Sequence, residues 1–139
     1  MRAVVLHQHG GPEVLTLEEV ADPVPGPEEV VVDVVATALN RADIIQRMGG
    51  YPDPRGRVPE IPGLEFAGVV SAVGERVRLW HIGDRVMGIE AGWAHAERIA
   101  THERQVMAVP AGLDLVDAAA IPEVFLTAWD ALVLQGGLT

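Results

Sequence analysis

The chain has 139 residues, 49% of them hydrophobic and 22% charged, which is enough for one domain with its own core and too few for two ordinary ones. A net charge of −10 and a pI near 4.8 argue against nucleic acid or an anionic membrane as partner, because phosphates draw clustered positive charge. All ten basic residues are Arg and there is no Cys, which excludes a Schiff-base lysine, disulfides, thiol nucleophiles and thiolate metal sites.

The opening Met1-Arg2-Ala3-Val4-Val5-Leu6 reads as a strand and lacks the apolar stretch of a secretory signal. No apolar run approaches the ~20 residues that cross a bilayer, so a cytoplasmic domain without membrane contact is expected. Strands are expected at 3–6 and 15–20, as two arms around His9-Gly10-Gly11-Pro12. The Pro23-Val24-Pro25-Gly26-Pro27 cluster removes ladder donors and fixes φ, so it is a turn feeding the valine-rich strand 29–39. Asn40 is placed to cap a short helix over 40–47, which Gly49-Gly50 ends. The stretch 51–57, rich in Pro and Gly, is a loop.

Strands resume at 66–73, 85–89, 94–100 and 106–109, with Asp84-Arg85 read as a turn closed by a salt bridge. The strongest helix runs over 122–134, with Gly136-Gly137 as its stop. Many short strands and few helices give a mainly β domain, a small and partly open barrel over 1–121, with a connecting helix, 122–139, that leaves it. His7, His9, His81, His95 and His102 show no metal-binding spacing and are read as surface or core residues.

Four motifs follow in order: Leu39-Asn40-Arg41-Ala42-Asp43, Gly63-Leu64-Glu65-Phe66-Ala67-Gly68, Gly83-Asp84-Arg85-Val86, and 118–128 with Pro122-Glu123 and Leu126-Thr127-Ala128. With Gly10-Gly11-Pro12-Glu13 and Pro25-Gly26-Pro27, they resemble the N-terminal GroES-like catalytic domain of the medium-chain dehydrogenase/reductase superfamily. More narrowly, the chain resembles the zinc-independent NADPH:quinone oxidoreductases. The resemblance implies a GroES-like barrel and hydride transfer from NADPH to a quinone or an α,β-unsaturated carbonyl. It places the active site in a cleft between this domain and a Rossmann domain whose glycine-rich fingerprint would begin shortly after Thr139. By that expectation the 139 residues are half of a truncated or split enzyme, inactive alone. Apolar surface left bare by the missing parts would drive homo-oligomerisation.

In zinc-dependent relatives, the resemblance puts the three catalytic metal ligands at Asn40, Leu64 and Glu123. Leu64 offers no donor and a neutral Asn amide is a poor zinc ligand, so no zinc is expected. Ala42 stands where an alcohol-oxidising relay needs a hydroxyl, which leaves reduction of an already electrophilic acceptor.

Each candidate side chain carries a plainer reading beside the functional one. Asn40 caps a helix, and the resemblance adds contact with the nicotinamide ribose end of the cofactor. Tyr51, the only Tyr, covers apolar surface, or, as the resemblance implies, lines the cleft, where its phenol donates to a developing oxyanion or positions the acceptor. Thr127 bonds back to the preceding turn, or, as the resemblance implies, meets the nicotinamide carboxamide. Glu123 is a helix-start acid or a further cofactor contact. Glu65 reads as a structural acid paired with a nearby Arg, and Arg55 and Arg57 as solvated loop charges. Two rival functions fit the same residues: a zinc-free enoyl or alkenal reductase, and a non-enzymatic GroES-like binding module.

Overall fold

The computed structural model describes residues 1–51, 53–57 and 60–139; Pro52 of the expected loop therefore lies outside the described residues. β1 (Arg2–Leu6) and β2 (Leu15–Glu19) pair antiparallel as a two-stranded ribbon. The main sheet is built from β3 (Glu29–Thr37), β4 (Glu65–Val73), β5 (Arg85–Ile89), β6 (Arg98–His102) and β7 (Val106–Ala108). Its order is β6-β3-β4-β5-β7, every pair antiparallel, and it does not close on itself. Single bridges, Ala3 to Ala96 and Leu6 to Glu60, tie the ribbon to the rest. The helices are α1 (Arg41–Arg47), α2 (Leu115–Ala118) and α3 (Pro122–Trp129). No helix among the described residues is long and apolar enough to cross a membrane.

In its strands, final helix and turns the structure departs from the sequence reading as follows. Residues 94–97 are not the start of β6, because their backbone groups are taken by two other partners. Ala94 and His95 donate to Gly63 O and Pro62 O, while His95 O accepts from Val4 and Glu97 N–H donates to Arg2 O. The terminal helix is α-helical only to Trp129; Asp130–Gln135 winds with wider π-type turns before Gly137, at φ 66°, ends it. Asp84 and Arg85 do not pair with each other. Asp84 Oδ2 accepts the N–H of His81, and Arg85 Nη2 donates to Leu113 O, because successive residues at a strand start point to opposite sides.

β4 is the central strand and is buried on both faces over its first half. On one face Phe66 and Val70 pack with Val30, Val32, Val86, Ile99 and Val106. On the other, Ala67 packs with Met87 against Ala118 and Ala119 of the helical side. The period of two therefore aims Glu65 at the helices and Phe66 at the barrel core. Elsewhere, buried Glu103 accepts the N–H groups of Arg78 and Leu79, which hold its carboxyl below the ordinary range. Its main-chain oxygen takes the indole N–H of Trp80, which packs at the core edge.

Gly68 is required by the approach of β3 to β4. The register shifts between Val34 and Ala36, and a Cβ on Gly68 would lie 2.1 Å from Asp33 O and 2.8 Å from Val32 Cγ1. A backbone oxygen in a central pair cannot step aside. Gly68→Ala is expected to cost about 3 kcal/mol, the upper end for overpacking. Urea denaturation followed by circular dichroism measures this, and an unchanged midpoint would show that the strands part without strain.

Candidate active site

Glu65, 1% exposed, joins two chain segments that are far apart in sequence. Its Oε1 accepts from Asn40 Nδ2 at 2.8 Å, and its Oε2 accepts from the backbone N–H of Glu123 at 2.9 Å. The first partner caps α1 and the second opens α3, where the N-terminal donors of a helix need an acceptor and favour a negative one. The expected pairing of Glu65 with an Arg is not seen among the described residues. Two neutral donors satisfy the carboxylate, one on each oxygen.

Asn40 begins α1 with an extended backbone, and its own N–H donates to Asp43 Oδ2 at 2.7 Å, the arrangement that closes a helix start. With Nδ2 held by Glu65, the amide is fixed in orientation and its oxygen is turned from the carboxylate. Asn40 lies at the wall of an open groove of about 1100 Å³ between the ribbon, β3 and α1. The groove is mostly apolar, lined in part by Leu15, Leu17, Val35 and Leu39, and its polar end is Thr37, Asn40, Asp43 and His95. Thr37 gives its hydroxyl hydrogen to Glu65 O at 2.7 Å, so toward His95 Nδ1, at 3.0 Å, it can only accept. His95 Nε2 then faces Asp43 Oδ2 at 3.6 Å. This polar end was not anticipated, because Thr37, Asp43 and His95 meet only once β3, α1 and the 94–97 segment are packed together.

The other candidate residues divide into two groups. Glu123 and Thr127 sit one helical turn apart on α3, and the Thr127 hydroxyl donates back to the preceding turn, to Glu123 Oε1 at 3.3 Å. Through Glu65, this pair is joined to Asn40. Tyr51 stands apart from that network, two-fifths exposed, just beyond the end of α1. Arg57 is not a solvated charge: its side chain is 19% exposed, and it donates through Nε to Asp53 Oδ2 at 2.6 Å. Arg55 donates to the buried Glu90 at 3.0 Å. The acid at position 90 was missed, since nothing near it in the sequence indicates what it faces.

Comparison with known proteins follows the same outline. The alcohol dehydrogenase GroES-like domain family matches residues 26–134. The quinone oxidoreductase of Lama guanicoe is 39% identical over 137 residues, covering 96% of this chain and 41% of that protein. The human synaptic vesicle membrane protein VAT-1 homolog-like protein superposes with a TM-score of 0.92 at 38% identity, over 99% of this chain and 44% of the other. The Escherichia coli quinone oxidoreductase, solved in complex with NADPH, gives 0.88 at 33% identity, over 95% and 40%. The chain thus spans less than half the length of each of these relatives.

Replacing Glu65 by Gln keeps the volume but puts an NH₂ against one of the two donors. Glu65→Gln should lower stability by about 1.5–3 kcal/mol, the range for a buried hydrogen bond to a charged group. Exchange of the Glu123 amide should accelerate in the same variant. Wild-type exchange at Glu123, read by NMR, would show that the carboxylate does not hold the start of α3.

Proposed function

The chain belongs to the alcohol dehydrogenase GroES-like family of the medium-chain dehydrogenase/reductase superfamily, and from that membership we propose that it is the acceptor-side domain of a zinc-independent, NADPH-dependent quinone oxidoreductase. The observation that carries the reading is the Glu65 bridge, which sets Asn40 at the groove wall and joins it to the start of the helix bearing Thr127. The relatives' additional length supplies the Rossmann domain in this reading. The domain then comprises residues 1–121, with 122–139 as the connecting helix.

The residues present suit the nicotinamide end of the cofactor. Asn40 offers a fixed acceptor oxygen. Thr127, having given its hydrogen to Glu123, retains lone pairs for the carboxamide N–H groups. When bound, NADPH supplies the hydride. The chain's own groups bind, orient and donate: apolar walls hold the ring of the acceptor, and the Tyr51 phenol donates a hydrogen bond where the carbonyl oxygen becomes negative. A quinone or enone needs no Lewis acid for this step, since hydride adds at a carbon already made electrophilic by conjugation. The donor set supports a zinc-free site. Leu64 has no ligand atom, and Asn40 and Glu65 are engaged with each other.

The test is oxidation of NADPH with 1,4-benzoquinone or 9,10-phenanthrenequinone by the 139-residue chain and by a longer form that continues through the nucleotide-binding domain. Turnover is expected only in the longer protein. Tyr51→Phe there should lower kcat/KM on the order of 10²-fold, as loss of one donor to a developing oxyanion does. Turnover by the short chain would overturn the two-domain reading, and none in either would favour the binding-module alternative.

The apolar side chains Val124, Phe125, Trp129, Leu132 and Leu134 are exposed along the final helix. In the same reading they are covered by the following domain. The 139-residue chain alone is therefore expected to self-associate, which sedimentation velocity detects as a concentration-dependent shift that the longer form lacks.

A further inference from the structure

Glu90 is a buried acid that the proposed chemistry does not use. It follows β5 directly, is 4% exposed, and its Oε1 accepts from the hydroxyl of Thr101, itself fully buried, at 2.7 Å. The cations that approach it both come from segment 53–57. Arg55 Nη2 donates to Oε1 at 3.0 Å, and Arg57 Nη2 lies 3.9 Å from Oε2. Arg55 also stands 3.8 Å from Glu29 on β3. The segment is tightened on itself, because Asp53 accepts from the Arg55 backbone N–H and from Arg57 Nε, and its main-chain oxygen from Gly56 N–H.

Beneath Arg57 lies Trp93, with the guanidinium 5.1 Å from the ring centroid. Trp93 holds φ at 73°, a conformation unfavourable for a side chain of its size, and is kept there with its N–H on Ile61 O. Segment 53–57 is thus held from below by a buried charge and an aromatic face, an unusual expenditure of structure on a polar loop.

We propose that Glu90 is a positioning residue for the reductase site: by anchoring Arg55 and Arg57 it fixes segment 53–57, and so sets Tyr51, two residues before Asp53, at the mouth of the cleft. The inference rests on the reading of Tyr51 as a cleft residue. A buried carboxylate is suited to the task. Once desolvated its oxygens demand donors, and where those are cations their removal leaves an uncompensated charge, so the loop has one strongly preferred seat. Arg serves better than Lys because its planar group reaches a carboxylate and stacks on an indole at once.

Tyr51 is the only Tyr, so 3-fluorotyrosine labelling gives a single ¹⁹F resonance from this position. Glu90→Gln keeps an acceptor for Thr101 but loses the charge, and Arg55→Gln alters only the half-exposed partner. In the 139-residue chain, both should shift or broaden the Tyr51 line. Glu103→Gln, which changes a buried acid that accepts from the Arg78 and Leu79 N–H groups and not from segment 53–57, should leave the line in place. In the longer protein the same two variants should lower kcat about threefold or more, with KM for the quinone nearly preserved, the signature of a weakened transition-state contact.

A wild-type line in Arg55→Gln overturns the inference, whether or not Glu90→Gln folds. An equal shift in Glu103→Gln overturns it too, by showing general loosening. The NMR readout needs neither NADPH nor quinone. If the longer protein proves inactive, the oxidoreductase reading fails while the anchoring of Tyr51 is judged separately.

Discussion

The structure depends on one buried carboxylate that has no cation beside it among the described residues. An acid taken out of water costs several kcal/mol unless its oxygens are satisfied, and Glu65 meets that cost with an amide from residue 40 and a main-chain N–H from residue 123. Neither donor can be supplied locally by β4. The carboxylate therefore forces two helix starts, separated by 83 residues of chain as given by their numbers, to converge on one strand. Around this point the backbone is equally constrained. Thr37 reaches Glu65 O, and three residues on, Gly68 allows β3 to close against β4.

The two faces of β4 then assume separate roles. Phe66 and Val70 bind the barrel together and could be exchanged for other apolar residues of similar volume with modest effect. Glu65 and Ala67 face the helical layer, where α2 and α3 are short and carry few buried side chains of their own. A short helix is marginal in isolation, so the start of α3 is held by tertiary contacts: Pro122, which needs no donor partner, and the Glu65 oxygen. The exposed apolar row beyond it fits a helix that packs mainly on something outside these residues.

Much of this was legible beforehand, for identifiable reasons. Strands such as 85–89 were bounded by a Gly turn and a β-branched pattern, and Asn40 stood where a helix start needs a cap. What sequence could not supply was the partner of each charge. Alternation says that Glu65 and Phe66 face opposite ways but not what waits on the acid's side, so a neighbouring Arg was the natural and incorrect guess. Adjacent charges misled for the converse reason: Asp84 and Arg85 are neighbours in sequence and point apart. Arg57 looked solvated because its loop is polar, whereas Trp93 and Glu90, which draw it inward, lie more than thirty residues away.

The three anchors also explain how Asn40 and Tyr51 could act together while sharing no contact. They flank α1, whose seven residues span about 10 Å at 1.5 Å each. At its first turn, Asp43 and Glu65 hold Asn40. At its last, Arg47 donates to Gly10 O through its side chain and accepts from Gly10 N–H through its main chain, which pins the helix to the loop between β1 and β2. Beyond it, Glu90 accepts from Arg55 in segment 53–57. A helix secured at both ends transmits position without flexing over so short a span. In the proposed function, the distance between the amide assigned to the cofactor and the phenol assigned to the acceptor is then set by backbone, and the charged residues around it keep that backbone in place.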